Sequence, residues 1–266
     1  MATVLVAARQ YGKTAAMAAT SAVGESRLFL VDYVMRFLRV AMLLAVWRIV
    51  LVGRGTVSGL TLGGVLTYTL IAEVFAEQLA CKTQLASDLW EGTVAMRFLQ
   101  PMGLVGHYAS DVGGRWCIGL GLFSLPLLLC APLFGVNPLP ASPRAAAWFV
   151  VSLLLSISVG LALEFLFGAL IVVLQQGNWV VMRMRSAVTV LLSGALLPLA
   201  LLPWGIGNVF AWLPFASLAS APLQIYTGTG NTLILLAVQT GWSFVLWPTA
   251  LWTWHVHRER VVAYGG

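Results

Sequence analysis

Glu73, Glu77 and Glu164 fall inside apolar runs of this chain, where an ionised side chain costs about 2.5–3.5 kcal/mol to insert and so marks a candidate functional position. Glu73 and Glu77 are one helical turn apart and Thr69 lies a further turn away, so all three share one helix face. Carboxylates at that spacing repel unless a proton or a cation intervenes. The preceding apolar run supplies Arg36 and Arg39. If the two runs are antiparallel helices, Arg39 and Glu73 agree in depth within about 5 Å at 1.5 Å per residue. The ion pairs Arg39–Glu73 and Arg36–Glu77 are therefore expected. Two roles fit them: mutual satisfaction near the inner interface, or a polar lining at a cytoplasmic substrate entrance.

Glu164 lies deeper, in a ridge Ser152, Ser156, Gly160, Glu164, Gly168 that repeats every four residues. Small residues at this interval let another helix approach closely. Two readings stay open: a packing seam with Glu164 hydrogen-bonded or protonated inside it, or a cavity-facing carboxylate that selects cations. On the second reading Glu73, Glu77, Glu164, Thr69 and Ser156 would line a substrate pathway.

Other chemistry finds little support. Gly12-Lys13-Thr14 resembles the end of a P-loop, but Ala7 stands where that loop needs glycine. No H-E-x-x-H or G-x-S-x-G occurs, and His107, His255 and His257 are expected in an inner loop and the tail. Cys81, Cys117 and Cys130 form no C-x-x-C and are read as small buried hydrophobes, without a disulfide or metal site. With no paired nucleophile and base, an enzyme is not expected.

The elements that must position these residues follow from composition. The 266 residues are 60% hydrophobic and only 9% charged, against about 25% charged in a typical soluble domain. With a mean hydropathy of +0.91, the chain reads as an all-α integral membrane protein. Apolar runs at 33–52, 57–79, 117–136, 146–174, 186–203 and 233–254 suggest six transmembrane helices. Residues 1–32 read as an amphipathic helix lying on the membrane surface, 33–254 as the transmembrane domain and 255–266 as a tail. Met1 to Val23, broken by Arg9 and Lys13, does not read as a cleavable signal.

With the N-terminus inside, Arg9, Lys13, Arg27, Arg36, Lys82, Arg97, Arg115, Arg183, Arg185, Arg258 and Arg260 fall on the inner side, and Arg54 and Arg144 on the outer. Eleven against two places both termini in the cytoplasm. This distribution also accounts for the net charge of +6 without nucleic acid. The inner loop 80–116 holds Ser87 to Gly92 and a helical-period run from Val94 to Leu99, which fits a short amphipathic helix. The outer stretch 203–232 is free of charge and rich in aromatics, as in Trp204, Trp212 and Phe215, and is expected to form re-entrant or interfacial helices. Pro126, Pro132 and Pro198 should kink their spans.

In order along the chain stand Trp47, Gly59 to Tyr68, Asp88-Leu-Trp-Glu-Gly92, Leu99-Gln-Pro101, Leu213-Pro-Phe215, Pro222-Leu-Gln-Ile-Tyr-Thr-Gly228 and Tyr264-Gly-Gly266. This combination resembles the permease subunits of type-2 ABC exporters, in a bacterial branch with two permeases and a separate ATPase. Gln100 replaces the arginine usual before that proline. The resemblance implies an amphipathic connecting helix at the start, outer re-entrant helices at 203–232, and a coupling helix at Asp88, Leu89, Trp90 and Glu91. It implies an inner-membrane exporter subunit without cofactor of its own, ATP and Mg being held by the partner ATPase. A second permease, identical or related, would complete the path, and some members of the family are associated with expelling cationic xenobiotics. The competing expectation is an ion-coupled secondary carrier in which Glu73 and Glu164 relay protons.

Overall fold

The computed structural model describes residues 2–24, 29–53, 56–57, 59–97, 99, 102–174 and 178–257. Arg27, Arg54, Gln100-Pro101, Arg258, Arg260 and Tyr264-Gly-Gly266 lie outside the described residues. The described chain is almost entirely helical. Helices α1 (Ala2–Gly24) and α2 (Phe29–Leu51) lead into a ribbon of two antiparallel strands, β1 (Thr56–Val57) and β2 (Leu60–Thr61). Its turn uses Gly59 at φ +78°, a conformation that glycine adopts without a Cβ clash. Helix α3 (Leu62–Val74) starts at Thr61, whose hydroxyl accepts the Gly64 amide at 3.1 Å. Short helices α4 (Ala76–Ala80), α5 (Leu85–Trp90) and α6 (Val94–Arg97) follow.

Helix α7 (Leu104–Gly119) continues through a π-helical turn at Leu120–Ser124 into α8 (Leu125–Leu129). Next come α9 (Pro143–Leu174), α10 (Asn178–Leu192), α11 (Ile206–Phe210), α12 (Ser220–Thr227) and α13 (Thr232–Val256). Among the described residues, three helical stretches are long and apolar enough to cross a membrane: Leu104–Leu129, Pro143–Leu174 and Thr232–Val256. The chain is thus an all-α protein of membrane-spanning character.

Several boundaries differ from those read in the sequence. The third apolar helix begins at Leu104, not near 117, because Asp111 and Arg115 pair at 3.2 Å one turn apart and α1 covers its glycine face. A Cβ at Gly114 would overlap the Ala15 carbonyl, and one at Gly106 would lie 2.7 Å from the Tyr11 ring. Helix α1 thus packs along α7 with its backbone nearly in contact. The fifth run stops being helical at Leu192. There Gly194 turns the chain at φ +76°, and the Ser193 carbonyl accepts the Ser220 amide at 2.8 Å. Helix α2 carries Arg36, Arg39 and Arg48 and does not join the three apolar stretches. Near its end Arg48 donates to the Phe134 carbonyl.

Helix α9 is the hub, packed against α4, α5, α10, α12 and α13. The ridge of small residues explains how so many elements reach it. Ser152 donates to the Gln239 side chain of α13 at 2.8 Å, and Ser156 donates to the Leu218 carbonyl. Gly160 and Gly168 leave room for Cys81 and Leu85, to which a Cβ at either glycine would come within 2.5 and 2.8 Å. The core continues in Phe165, Ile171, Leu89 and Tyr108 at one end, and in Tyr68, Ile71, Phe149 and Leu223 at the other. Gly160→Ala should therefore cost about 1–3 kcal/mol, the usual cost of overpacking. A lowered midpoint in thermal unfolding of the detergent-solubilised chain checks this, and Gly121→Ala, where a Cβ meets open space, is the neutral control.

Candidate functional site

Glu164 sits in the C-terminal third of α9, only 1% exposed, and its Oε2 lies 2.7 Å from Nη1 of Arg185, 4% exposed, on α10. Oε1 accepts the backbone amide and the hydroxyl of Thr83, both at 3.0 Å. Arg185 donates through Nη2 to the carbonyls of Cys81 at 3.1 Å and Ala80 at 3.3 Å. The carbonyls it satisfies close α4, where Cys81 caps the helix in the left-handed region at φ 42°. A buried carboxylate and a buried guanidinium thus neutralise one another, and each also bonds the chain around the end of α4, which is the condition under which buried charge is tolerated.

Glu164 is held in a polar seam and is not among the residues lining the cleft described below. Arg185 was missed as a site residue because it was counted only toward charge topology. One signal could have found it: Glu164 lies ten residues before the end of α9 and Arg185 seven after the start of α10. In a helical hairpin, about 15 and 10 Å from the turn are similar depths.

Glu73 and Glu77 line a different feature. The structure holds Arg39 Nη2 at 3.0 Å from Glu73 and Arg36 Nη2 at 2.6 Å from Glu77. Both pairs face a cleft of about 580 Å³ between α2, α3–α4 and α7, to which Lys82, Arg115, Trp116 and Phe123 also contribute. The Arg36 guanidinium lies 4.4 Å from the Phe123 ring centre, a cation–π contact that orients it. Gly119 leaves room for the Glu77 carboxylate, which a Cβ there would strike.

The remaining pathway candidates lie elsewhere. Thr69 is 2% exposed and Ser156 fully buried against the Leu218 segment, so neither joins the cleft. Glu73, Glu77 and Glu164 each face an arginine, the first two as the register of the helices led one to expect.

The segment expected to couple to a partner divides by direction. Asp88 points inward, accepting from the Tyr108 hydroxyl at 2.7 Å and from Arg97 Nε at 3.2 Å. Leu89 and Val94 are buried beside it. Trp90, Met96 and Leu99 are 63%, 70% and 86% exposed, and Glu91 is exposed with them. Asp88 and Leu89 are therefore anchors, while Trp90 and Glu91 belong to the presented face.

Two smaller readings need correction. Cys81 is buried as expected, but Cys117 is exposed and Cys130 half-buried, since both lie on the lightly covered side of the α7–α8 stretch. His107 is not in a loop but in the first turn of α7, buried against the Tyr108 ring.

Because removal of one partner strands the other charge, Glu164→Gln or Arg185→Gln should each destabilise the chain by about 3–5 kcal/mol. The double variant Glu164→Gln/Arg185→Gln should lose less than the sum of the two single changes. Unfolding of the three variants in detergent measures this coupling; additive losses would mean that the pair is not a unit.

No protein-family model matches the chain, and neither does any curated protein or solved structure compared with it.

Proposed function

We propose that the chain is a membrane-spanning permease subunit of an ATP-binding cassette exporter. In this reading both termini face the cytoplasm of a bacterial cell, and the spans are α2, α3–α4, α7–α8, α9, α10 with the stretch after it, and α13. The segment around α11 and α12 forms the outer re-entrant helices, and α1 is the connecting helix. A second permease chain, identical or related, completes the path, and a separate ATPase binds ATP and Mg.

The observation that carries the proposal is the shape of the α5–α6 segment. Its inner side is fixed by Asp88, Leu89 and Val94. Its outer side offers Trp90, Met96 and Leu99 together with Glu91. Large exposed apolar side chains beside a charge, on a segment anchored from behind, are what a protein-docking site offers. The segment is also joined firmly to the transmembrane core. Thr83, just before α5, is bonded to Glu164, and Leu85 seats against Gly168. A push delivered at Trp90 would pass into α9 and α10 through packed atoms without a flexible link.

Trp90→Ala and Glu91→Lys alter only the presented face and should leave the chain folded. Each should reduce co-purification with the ATPase subunit and lower transport-coupled ATP hydrolysis about tenfold or more, the loss usual for an interface anchor of about 1.4–2 kcal/mol. Unchanged retention and coupling in both variants would remove this segment from the interface. The competing carrier reading makes the opposite forecast: solute movement driven by a proton gradient in vesicles holding this chain alone.

A further inference from the structure

The cleft between α2, α3–α4 and α7 has a mixed character. In it Arg36, Arg39, Lys82 and Arg115 meet two carboxylates, Glu73 and Glu77. Asp111, which holds Arg115 from outside the lining, leaves one cation in excess among the described side chains. That excess is Lys82, which is exposed and has no ion-pair partner among the described residues. Interleaved with these charges the lining is apolar, with Phe37, Val40, Phe123 and Leu127. At about 580 Å³ the space falls within the roughly 300–1,000 Å³ of small-molecule sites.

The ammonium of Lys82 does not swing on a loose loop. Residues on both sides of it are clamped from the core: the Ala80 and Cys81 carbonyls by Arg185, and the Thr83 amide and hydroxyl by Glu164. The backbone that presents the charge to the cleft is therefore fixed. Next to it, the Arg36 guanidinium is oriented between Glu77 and the Phe123 face.

We propose that this cleft binds the acidic head of an amphiphile, a phosphate or carboxylate carried on an apolar body. The head is taken by Lys82 with Arg36 and Arg115, and the body lies along Phe123 and Leu127. Charge selects against the cationic amphiphile of the same shape, since the site holds more cations than carboxylates. The inference does not depend on an ATPase partner, so its failure and that of the permease reading are separate events.

The test is titration of the full chain, purified in a maltoside detergent, with n-decyl phosphate and separately with n-decyltrimethylammonium. The phosphate is expected to bind about tenfold more tightly, a modest yield for one excess charge at partly solvated range. Equal binding, or preference for the ammonium, overturns the proposal. Lys82→Glu should weaken the phosphate about tenfold, and Glu77→Gln should strengthen it about threefold, because the two changes move the local charge in opposite directions. Affinities that stay fixed, or shift in the same direction, overturn it as well. Should one variant fail to fold, the sign of the other decides.

A bilayer phospholipid and a free amphiphile share this head chemistry. Competition in nanodiscs separates them: displacement of n-decyl phosphate by phosphatidylglycerol assigns the site to lipid, and its persistence assigns the site to a soluble amphiphile. Displacement by phosphatidylcholine as readily as by phosphatidylglycerol would refute recognition of the acidic head.

Discussion

Everything around the middle of this molecule depends on one constraint, that a carboxylate placed inside an apolar helix must be matched by a buried cation. Glu164 and Arg185 meet that constraint at 2.7 Å. Their remaining hydrogen-bonding capacity is spent on the chain that crosses between them, at Ala80, Cys81 and Thr83. The pair therefore does more than cancel charge. It fixes α9 to α10, terminates α4, and sets where α5 begins. An apolar pair of similar volume could hold the two helices equally well, but it would leave the carbonyls at the end of α4 without partners. The geometry suggests that the ionic pair is retained because it can bond three elements at once.

The same helix carries a second polar node one end away. Gln239 of α13 donates to the carbonyls of Ser152 at 3.1 Å and Ser217 at 2.8 Å, and accepts from the Ser152 hydroxyl. Between these nodes lies the ridge at intervals of four, so that α9 is hydrogen-bonded toward its N-terminal turns and ionic toward its C-terminal ones. Its opposite face is plain hydrocarbon. Trp247 and Trp254 of α13 close the side, donating to the Ser158 hydroxyl at 2.9 Å and the Phe165 carbonyl at 2.7 Å. In lipid, where helices gain little from burying apolar surface against one another, such close contacts and interhelical hydrogen bonds supply much of the association.

How much of this was legible in the sequence varies with the physical origin of each feature. Apolar runs announce helices because burial in lipid demands them, and the all-α membrane class follows from composition alone. Depth is legible too, since it is a count of residues: Arg39 and Glu73 match in register, and the structure holds them 3.0 Å apart. The ridge of α9 could be seen, but not which elements it receives. That depends on the three-dimensional path of 80–85 and 217–218, for which a one-dimensional pattern has no term. Arg185 illustrates the same loss. A basic residue near a span end satisfies a topology rule so readily that its burial goes unsuspected, unless one asks where the partner of Glu164 must come from. The early end of the fifth run at Leu192 was hidden by Leu196, Leu197 and Leu199, whose hydropathy continues although Gly194 has already turned the backbone.

The two layers of ion pairs also differ in what breaking them would cost, and this bears on how such a chain could change shape. Glu164–Arg185 is sealed in the core, and separating it would leave two desolvated charges, a penalty of several kcal/mol. Arg36–Glu77 has side chains 39% and 34% exposed, and Arg39 is 62% exposed although its partner Glu73 is only 12% exposed. A pair with the solvent access of Arg36–Glu77 is worth about 0–1 kcal/mol, because water and salt replace the lost partner. A displacement of α2 against α3–α4 therefore meets a low electrostatic barrier, while one of α9 against α10 meets a high one. Any movement imposed at α5 would accordingly carry α9, α10 and the end of α4 together. The electrostatic resistance is lowest at the cleft, where the charges of α2 are partly solvated, and the packing of Val40 and Leu44 on Leu66, Leu70 and Val74 supplies the rest of its hold on α3.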